Sequence, residues 1–175
     1  KAGLIFEIIS GNEIIAYSDE SISSRLCPTY ESGRKKFISS QLGFSFAYNA
    51  TKENKLGYGK SVIVEKRTVF YQRPIKKLTV GKRVNVKEVI KKSPTHYLID
   101  LGAEVVGLAT LEFNSKSEQK IEVAYGESLD DGCVRKNIGG RCFAFEYTAK
   151  IGKNIFTDYM MRLACRYLEV FSEKP

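Results

Sequence analysis

Residues 119–127 read QKIEVAYGE, and this stretch decides the class of fold. Ile121, Val123 and Tyr125 fall on one side of an extended chain, with Lys120, Glu122 and Ala124 on the other. A period of two belongs to a half-buried strand, because successive Cβ atoms point to opposite sides of the pleat. The alternation recurs outward in both directions. GLIFEII (3–9), SVIVEK (61–66), HYLIDLG (96–102), GLATLEF (107–113), FAFEYTA (143–149) and RYLEVF (166–171) all carry it. In GLATLEF, Ala109, Leu111 and Phe113 face one way, with Thr110 and Glu112 opposite. Phe44, Phe46 and Tyr48 alternate and are expected on one strand face. Gly-containing turn signals separate the runs: SGN at 10–12, ESG at 31–33, DDG at 130–132, IGG at 138–140 and IGK at 151–153. Many short strands joined by such turns predict an all-β chain, an antiparallel β-sandwich or jelly roll in two sandwich pieces. NVKEVIKK (85–92) carries helical spacing and MMRLAC (160–165) is apolar enough for one helical turn, and their state stays open.

Composition removes several function classes. The 175 residues are 43% hydrophobic and 27% charged, enough apolar material for a core without disulfides or metals. No run of 18 apolar residues occurs, so no membrane-spanning helix is expected. Lys1 opens the chain with no basic-then-apolar leader, and the sequence reads as a piece of something longer. His96 is the single histidine, which excludes two-histidine zinc sites and HExxH proteases. It reads as an ordinary strand residue. Cys27, Cys133, Cys142 and Cys165 form no CxxC pair, which removes zinc-ribbon and thioredoxin readings. They are expected to be free and mostly buried, with a Cys133–Cys142 bridge across a hairpin as the alternative.

The formal net charge is +8. Its one concentration is Lys76 to Lys92, containing Lys76, Lys77, Lys82, Arg83, Lys87, Lys91 and Lys92. This run reads first as a solvated connector and second as a track for a polyanion or nucleic acid. Pro74 and the loss of alternation over 73–80 suggest a boundary, giving pieces 1–78 and 79–175. The first is shorter than the roughly 100 residues of a standalone sandwich, so its partner strands are expected upstream or in the second piece.

Glu127 lies by alternation on the apolar face of Ile121, Val123 and Tyr125, so it is expected at a sandwich edge or paired. Asp130 and Asp131 in LDDG read first as turn residues. With Glu127 they also form a candidate calcium site of hard oxygen ligands, although the spacing fits no EF-hand loop. Tyr30 and Tyr58 lie in Gly-containing loops and are candidate ring platforms for a sugar, since the chain has no Trp. No pair of acids stands out as a glycosidase couple.

An ordered set of motifs resembles the non-catalytic β-sandwich region preceding the catalytic barrel in bacterial α-L-rhamnosidases of glycoside hydrolase family 78. RPIKKL (73–78), YLIDLGAEVVGLATLEF (97–113), QKIEVAYGESLDDG (119–132) and EYTAKIGKNIFTDYMMRLACRYLEV (146–170) resemble that family's Arg-Pro-Ile linker, Asp-Leu-Gly strand, Ala-Glu-x-Leu segment and closing Arg-Tyr-x-Glu-Val. IIAYSDESIS (14–23) and SSQLGFSFAYNATKE (39–53) resemble the end of the family's preceding domain. Ile22 stands where the family has Trp, Leu108 where it has an aromatic, Asn49 where it has Asp, and Leu163-Ala164-Cys165 where it has His-Gly-Phe. The resemblance implies that 1–78 is the C-terminal part of a rhamnosidase N-terminal-type sandwich. It implies that 79–175 is a second, concanavalin-like sandwich. It also implies a parent glycosidase whose acid and base sit in a downstream (α/α)6 domain, with this chain as a non-catalytic accessory to it. Asp100, Glu127, Asp130 and Asp131 are then the expected glycan contacts, with Tyr30 and Tyr58 as platforms. An independent carbohydrate-binding module is the alternative, and a periplasmic or secreted location is expected.

Overall fold

The computed structural model describes residues 3–31, 37–54, 56–64, 69, 71, 74–75 and 81–175. Arg73, Lys76 and Lys77, and so much of RPIKKL and the start of the basic run, lie outside the described residues, as do Glu65, Lys66 and Phe70. The described residues form strands and one 3-10 turn. In chain order the first strands are β1 (Glu7–Ser10), β2 (Glu13–Tyr17), β3 (Ser23–Ser24), β4 (Tyr30–Glu31), β5 (Phe37–Ser39), β6 (Gly43–Phe44) and β7 (Ala47–Asn49). The 3-10 turn Ala50–Lys52 and β8 (Gly59–Lys60) follow. Then come β9 (Glu88–Ser93), β10 (His96–Gly107), β11 (Thr110–Ser115), β12 (Gln119–Gly126), β13 (Leu129–Asp130) and β14 (Cys133–Val134). The chain closes with β15 (Asn137–Ile138), β16 (Arg141–Cys142), β17 (Ala144–Ala149), β18 (Gly152–Thr157) and β19 (Leu163–Ser172).

The chain divides into two compact units, Lys1–Cys27 with Asn54–Gly81, and Pro28–Glu53 with Lys82–Pro175. Residues 28–53 group with 82–175. The reason is strand pairing: β7 lies parallel to β17 in the register Ala47↔Glu146, Tyr48↔Tyr147 and Asn49↔Thr148. Unit 1 holds the β1–β2 hairpin and the short β3–β8 pair. Its alternating runs are shorter than the sequence suggests. GLIFEII becomes a strand only at Glu7, and Ser61–Val64 of SVIVEK is not a strand. Ile8, Ile9, Ile14 and Ile15 are all exposed.

Unit 2 is a sandwich. Its main sheet has seven strands in the order β4-β7-β17-β12-β19-β10-β9, and β11 pairs with β18 in the opposing layer. Ile121, Val123, Tyr125, Phe145, Tyr147 and Ala149 project from one face of the main sheet into a core completed by Phe156 of β18. Leu111 and Phe113 pack against this core from β11, as their alternation predicts. Phe156 is the centre of an aromatic group, with its ring centroid 4.4 Å from Tyr48, 5.4 Å from Tyr147 and 6.4 Å from Phe145. Offset and tilted ring pairs of this kind add to the burial of their area.

The two open stretches are strand in part, and one local reading changes. NVKEVIKK is strand, not helix, from Glu88 onward, and MMRLAC enters β19 at Leu163. Phe44 does not share a face with Phe46 and Tyr48. The strand breaks at Ser45–Phe46, and Phe44 is exposed, ring to ring with Phe37 at 5.7 Å.

Candidate functional site

The two motif-bearing strands β10 and β19 are antiparallel neighbours, with His96↔Phe171, Leu98↔Glu169 and Asp100↔Tyr167 in register. Alternation therefore sets His96, Leu98 and Asp100 on one face beside Phe171, Glu169 and Tyr167. This is the face turned away from the aromatic core. Half of it is covered by the hairpins β13–β14 and β15–β16, whose Val134 and Cys142 pack on Leu98, Ala124 and Ala144.

Glu169 sits under that cover and is 1% exposed. Its Oε1 meets His96 Nε2 at 2.6 Å and Lys92 Nζ at 3.4 Å, and its Oε2 accepts from the Val134 N–H at 2.7 Å. Burial works to raise its carboxyl pKa. The bonds from His96 and Val134 and the charge of Lys92 outweigh it and hold the group below its ordinary value. His96 is thus a strand residue with a definite partner.

Asp100 makes the second tie. Arg166 donates to both of its oxygens, and the Gly102 N–H donates to Oδ1 at 2.7 Å. Those hydrogen bonds pull the Asp100 pKa down to about 2, the Arg166 bond being the largest cause. Between Asp100 and Val105 the β10–β19 register slips, so residues 101–104 form a bulge. Gly102 turns the chain there at φ +83, a conformation that a side chain resists.

The remaining expected contacts are scattered. Tyr30 is not an exposed platform; it is half-buried, 5.0 Å from Tyr48 and 5.7 Å from Phe46 between ring centroids. The hydrophobic area of its ring is better satisfied inside the core than at a loop tip. Tyr58, in unit 1, is 66% exposed with the Arg25 guanidinium 4.8 Å over its ring. Glu127 is exposed just past the end of β12. Asp130 lies 3.9 Å from Arg135. Asp131 and Gly132 form a two-residue turn between β13 and β14, both at positive φ, 50° and 73°. That is the backbone an Asp-Gly hairpin favours. Glu127, Asp130 and Asp131 do not form a cation cage, and among the described residues no three His, Cys, Asp or Glu gather to hold a metal. Of the basic run, Lys92 is tied to Glu169 and Lys91 lies 5.9 Å from the Tyr97 ring centroid. Cys133, Cys142 and Cys165 form no disulfide, and Cys133 and Cys142 sit in separate hairpins.

The uncovered half of the same sheet face is a shallow depression of about 300 Å³. Lys120, Glu122, Glu146, Phe171 and Ser172 line it. Glu146, Glu122 and Phe171 stand in one row across β17, β12 and β19. Two carboxylates directly opposite repel. Lys136 reaches in from beyond β14 to pair with Glu122, and its Nζ lies 5.2 Å over the Phe171 ring. The row offers hydroxyl acceptors beside an aromatic ring. Sequence reasoning missed it, although the polar side of QKIEVAYGE was the available signal.

One buried carboxylate is less well served. Asp158 is 0% exposed, and its Oδ1 accepts from the Met160 and Met161 N–H groups at 2.9 and 3.2 Å. Its Oδ2 has no hydrogen-bond partner among the described residues. Burial raises its pKa against those two bonds.

Residues 90–174 match the family model of the bacterial alpha-L-rhamnosidase concanavalin-like domain. The α-L-rhamnosidase from Dictyoglumus thermophilum is similar at 16% identity over 91% of this chain and 19% of that one, with a TM-score of 0.64. At this identity the likeness shows a shared fold. The Streptomyces avermitilis α-L-rhamnosidase complexed with L-rhamnose is 25% identical over 55% of this chain and 10% of that one, with a TM-score of 0.47. A family GH78 rhamnosidase of Bacillus sp. GL1 is 20% identical over 49% of this chain and 9% of that one, with a TM-score of 0.36. No curated protein matches. The chain thus spans less than a fifth of the length of each of these solved structures.

Proposed function

We propose that this chain, whose residues 90–174 belong to the bacterial α-L-rhamnosidase concanavalin-like domain family, is a non-catalytic accessory region of a larger glycoside hydrolase. One observation carries the reading. The carboxylates of the two family-like motifs, Asp100 and Glu169, are spent on holding strands and a hairpin together. A glycosidase acid must keep a proton to give, at a raised pKa, and its partner must face a sugar. Both of these motif acids are instead held below their ordinary values by internal donors. Bond cleavage then belongs to a catalytic domain elsewhere in the parent chain, which this sandwich supports. The same reading places the parent outside the cytoplasm, where plant and microbial glycans are met. The test is hydrolysis of an aryl α-L-rhamnoside by the purified chain. No turnover is expected. Turnover abolished by a single acid-to-amide substitution would overturn the reading.

A second reading rests on the depression beside Phe171. It makes the sandwich a contact surface for a glycan, with Glu122 and Glu146 accepting from hydroxyls beside the Phe171 ring, which is itself stacked on His96. Calorimetry against L-rhamnose and rhamnogalacturonan tests it. Binding lost in Phe171→Ala and retained in Tyr58→Ala supports this face over the exposed tyrosine.

A further inference from the structure

The β9–β10 register is His96↔Ser93 and then Tyr97↔Lys91, which leaves Lys92 as the extra residue of a bulge on the edge strand. A bulge re-aims a side chain out of the regular alternation. Here it delivers Lys92 Nζ to the tip of the β13–β14 hairpin. The ammonium donates to the Gly132 carbonyl, lies 3.3 Å from Cys133 Sγ and 3.4 Å from Glu169 Oε1. Its side chain is 25% exposed and Cys133 is half-buried, so a small solute reaches both. Cys142 and Cys165 are buried. A nucleophilic sulfur and an amine are therefore held in contact at the solvent boundary, on elements distant in sequence. The strand pairing and Glu169 account for the placement of both groups without explaining why a thiol stands there.

We propose that Lys92 and Cys133 are a peroxide-driven cross-linking pair, joined on oxidation by a sulfenamide bond between Sγ and Nζ. The Cys133 thiolate attacks one oxygen of hydrogen peroxide, forming the S–O bond and breaking the O–O bond. The departing hydroxide takes a proton from the Lys92 ammonium and leaves as water. Sulfur is oxidised and peroxide reduced, and the step leaves a sulfenic acid facing a neutral amine. The amine nitrogen then attacks sulfur, the S–N bond forms, and the sulfenic oxygen departs with a proton from nitrogen as a second water. Sulfenic acids condense with thiols or nitrogen nucleophiles in this way, and added thiol reverses the product. Desolvation works to lower the Lys92 pKa, but Cys133 and Glu169 outweigh it, so the lysine starts as the cation. The proton taken by the leaving hydroxide is what turns it into a nucleophile. The bond ties the edge strand of the sheet to the hairpin covering Glu169.

The experiment is a peptide map of the 175-residue chain after mild hydrogen peroxide, digested with trypsin without reductant. The expected result is loss of cleavage after Lys92. A linked peptide pair should appear, lighter by about two mass units than the two separate peptides, and dithiothreitol should split it. Cys133→Ser and Lys92→Arg should both abolish it. Cys133 trapped by dimedone, carried to sulfinic acid or found in a disulfide, with cleavage after Lys92 intact in the wild-type chain, would overturn the proposal. The wild-type map decides the matter even if a variant folds poorly.

Discussion

Arg166 donates from Nε to Asp100 Oδ1 at 3.0 Å and from Nη2 to Oδ2 at 3.1 Å, across the point where β10 and β19 lose register. A planar fork matched to a carboxylate fixes geometry as well as charge. Arg166→Lys should therefore lower the melting temperature although the charge is kept, and Arg166→Met should lower it further. Thermal unfolding followed by circular dichroism reads both.

The same pair sets an acid limit. The folded Asp100 pKa is about 2, below the roughly 3.9 of an unfolded Asp. A depressed folded pKa contributes stability that is present above the unfolded value and lost as pH falls through the folded one. Stability should decline between about pH 4 and pH 2, and the decline should be shallower in Asp100→Asn. Denaturant midpoints across that range measure it.

Glu169 gathers two charged or chargeable groups and one backbone N–H under a hairpin. Glu169→Ala leaves the Val134 N–H and the Lys92 cation without their buried acceptor, and should cost about 3 kcal/mol. Glu169→Gln keeps an acceptor and should cost less. Hydrogen exchange at Val134 is a local reading, because the hairpin should open before the sheet does.

Asp158 should show the opposite pH behaviour. Its folded pKa is raised, so its ionisation opposes folding at neutral pH, and that penalty disappears as pH falls and the carboxyl protonates. Asp158→Asn keeps the oxygen that accepts from Met160 and Met161. It should match or exceed the wild-type melting temperature at pH 8, and the two should converge near pH 4. Asp158→Ala removes that acceptor and should destabilise by about 1 kcal/mol.

Phe156 closes the sandwich from β18 onto Tyr48, Phe145 and Tyr147. Phe156→Ala should cost about 4 kcal/mol through lost burial and the cavity left behind. Phe44→Ala, at an exposed ring, should cost far less. Paired urea melts of the two variants test the reassignment of Phe44 away from the core.

The strands of unit 2 were legible because their burial follows a local period. Leu111 and Phe113 of GLATLEF, and Ile121, Val123 and Tyr125 of QKIEVAYGE, face the core as read. Ala124 is buried as well, although it lies on the polar side of its strand, because Val134 and Cys142 cover it from a later hairpin. Tyr30 was misplaced for a similar reason: it is drawn into a ring cluster assembled from β4, β7 and β18.

By itself the sequence determined the β class, the Asp-Gly turn at 131–132 and the motif order that carries the family likeness, since each depends on residues a few positions apart. Only the tertiary structure decided that Asp100 belongs to Arg166, Glu169 to His96 and Val134, and Lys92 to Cys133. Those partners are 35 to 73 residues apart in the chain and meet through strand register, and one bulged residue redirects a side chain.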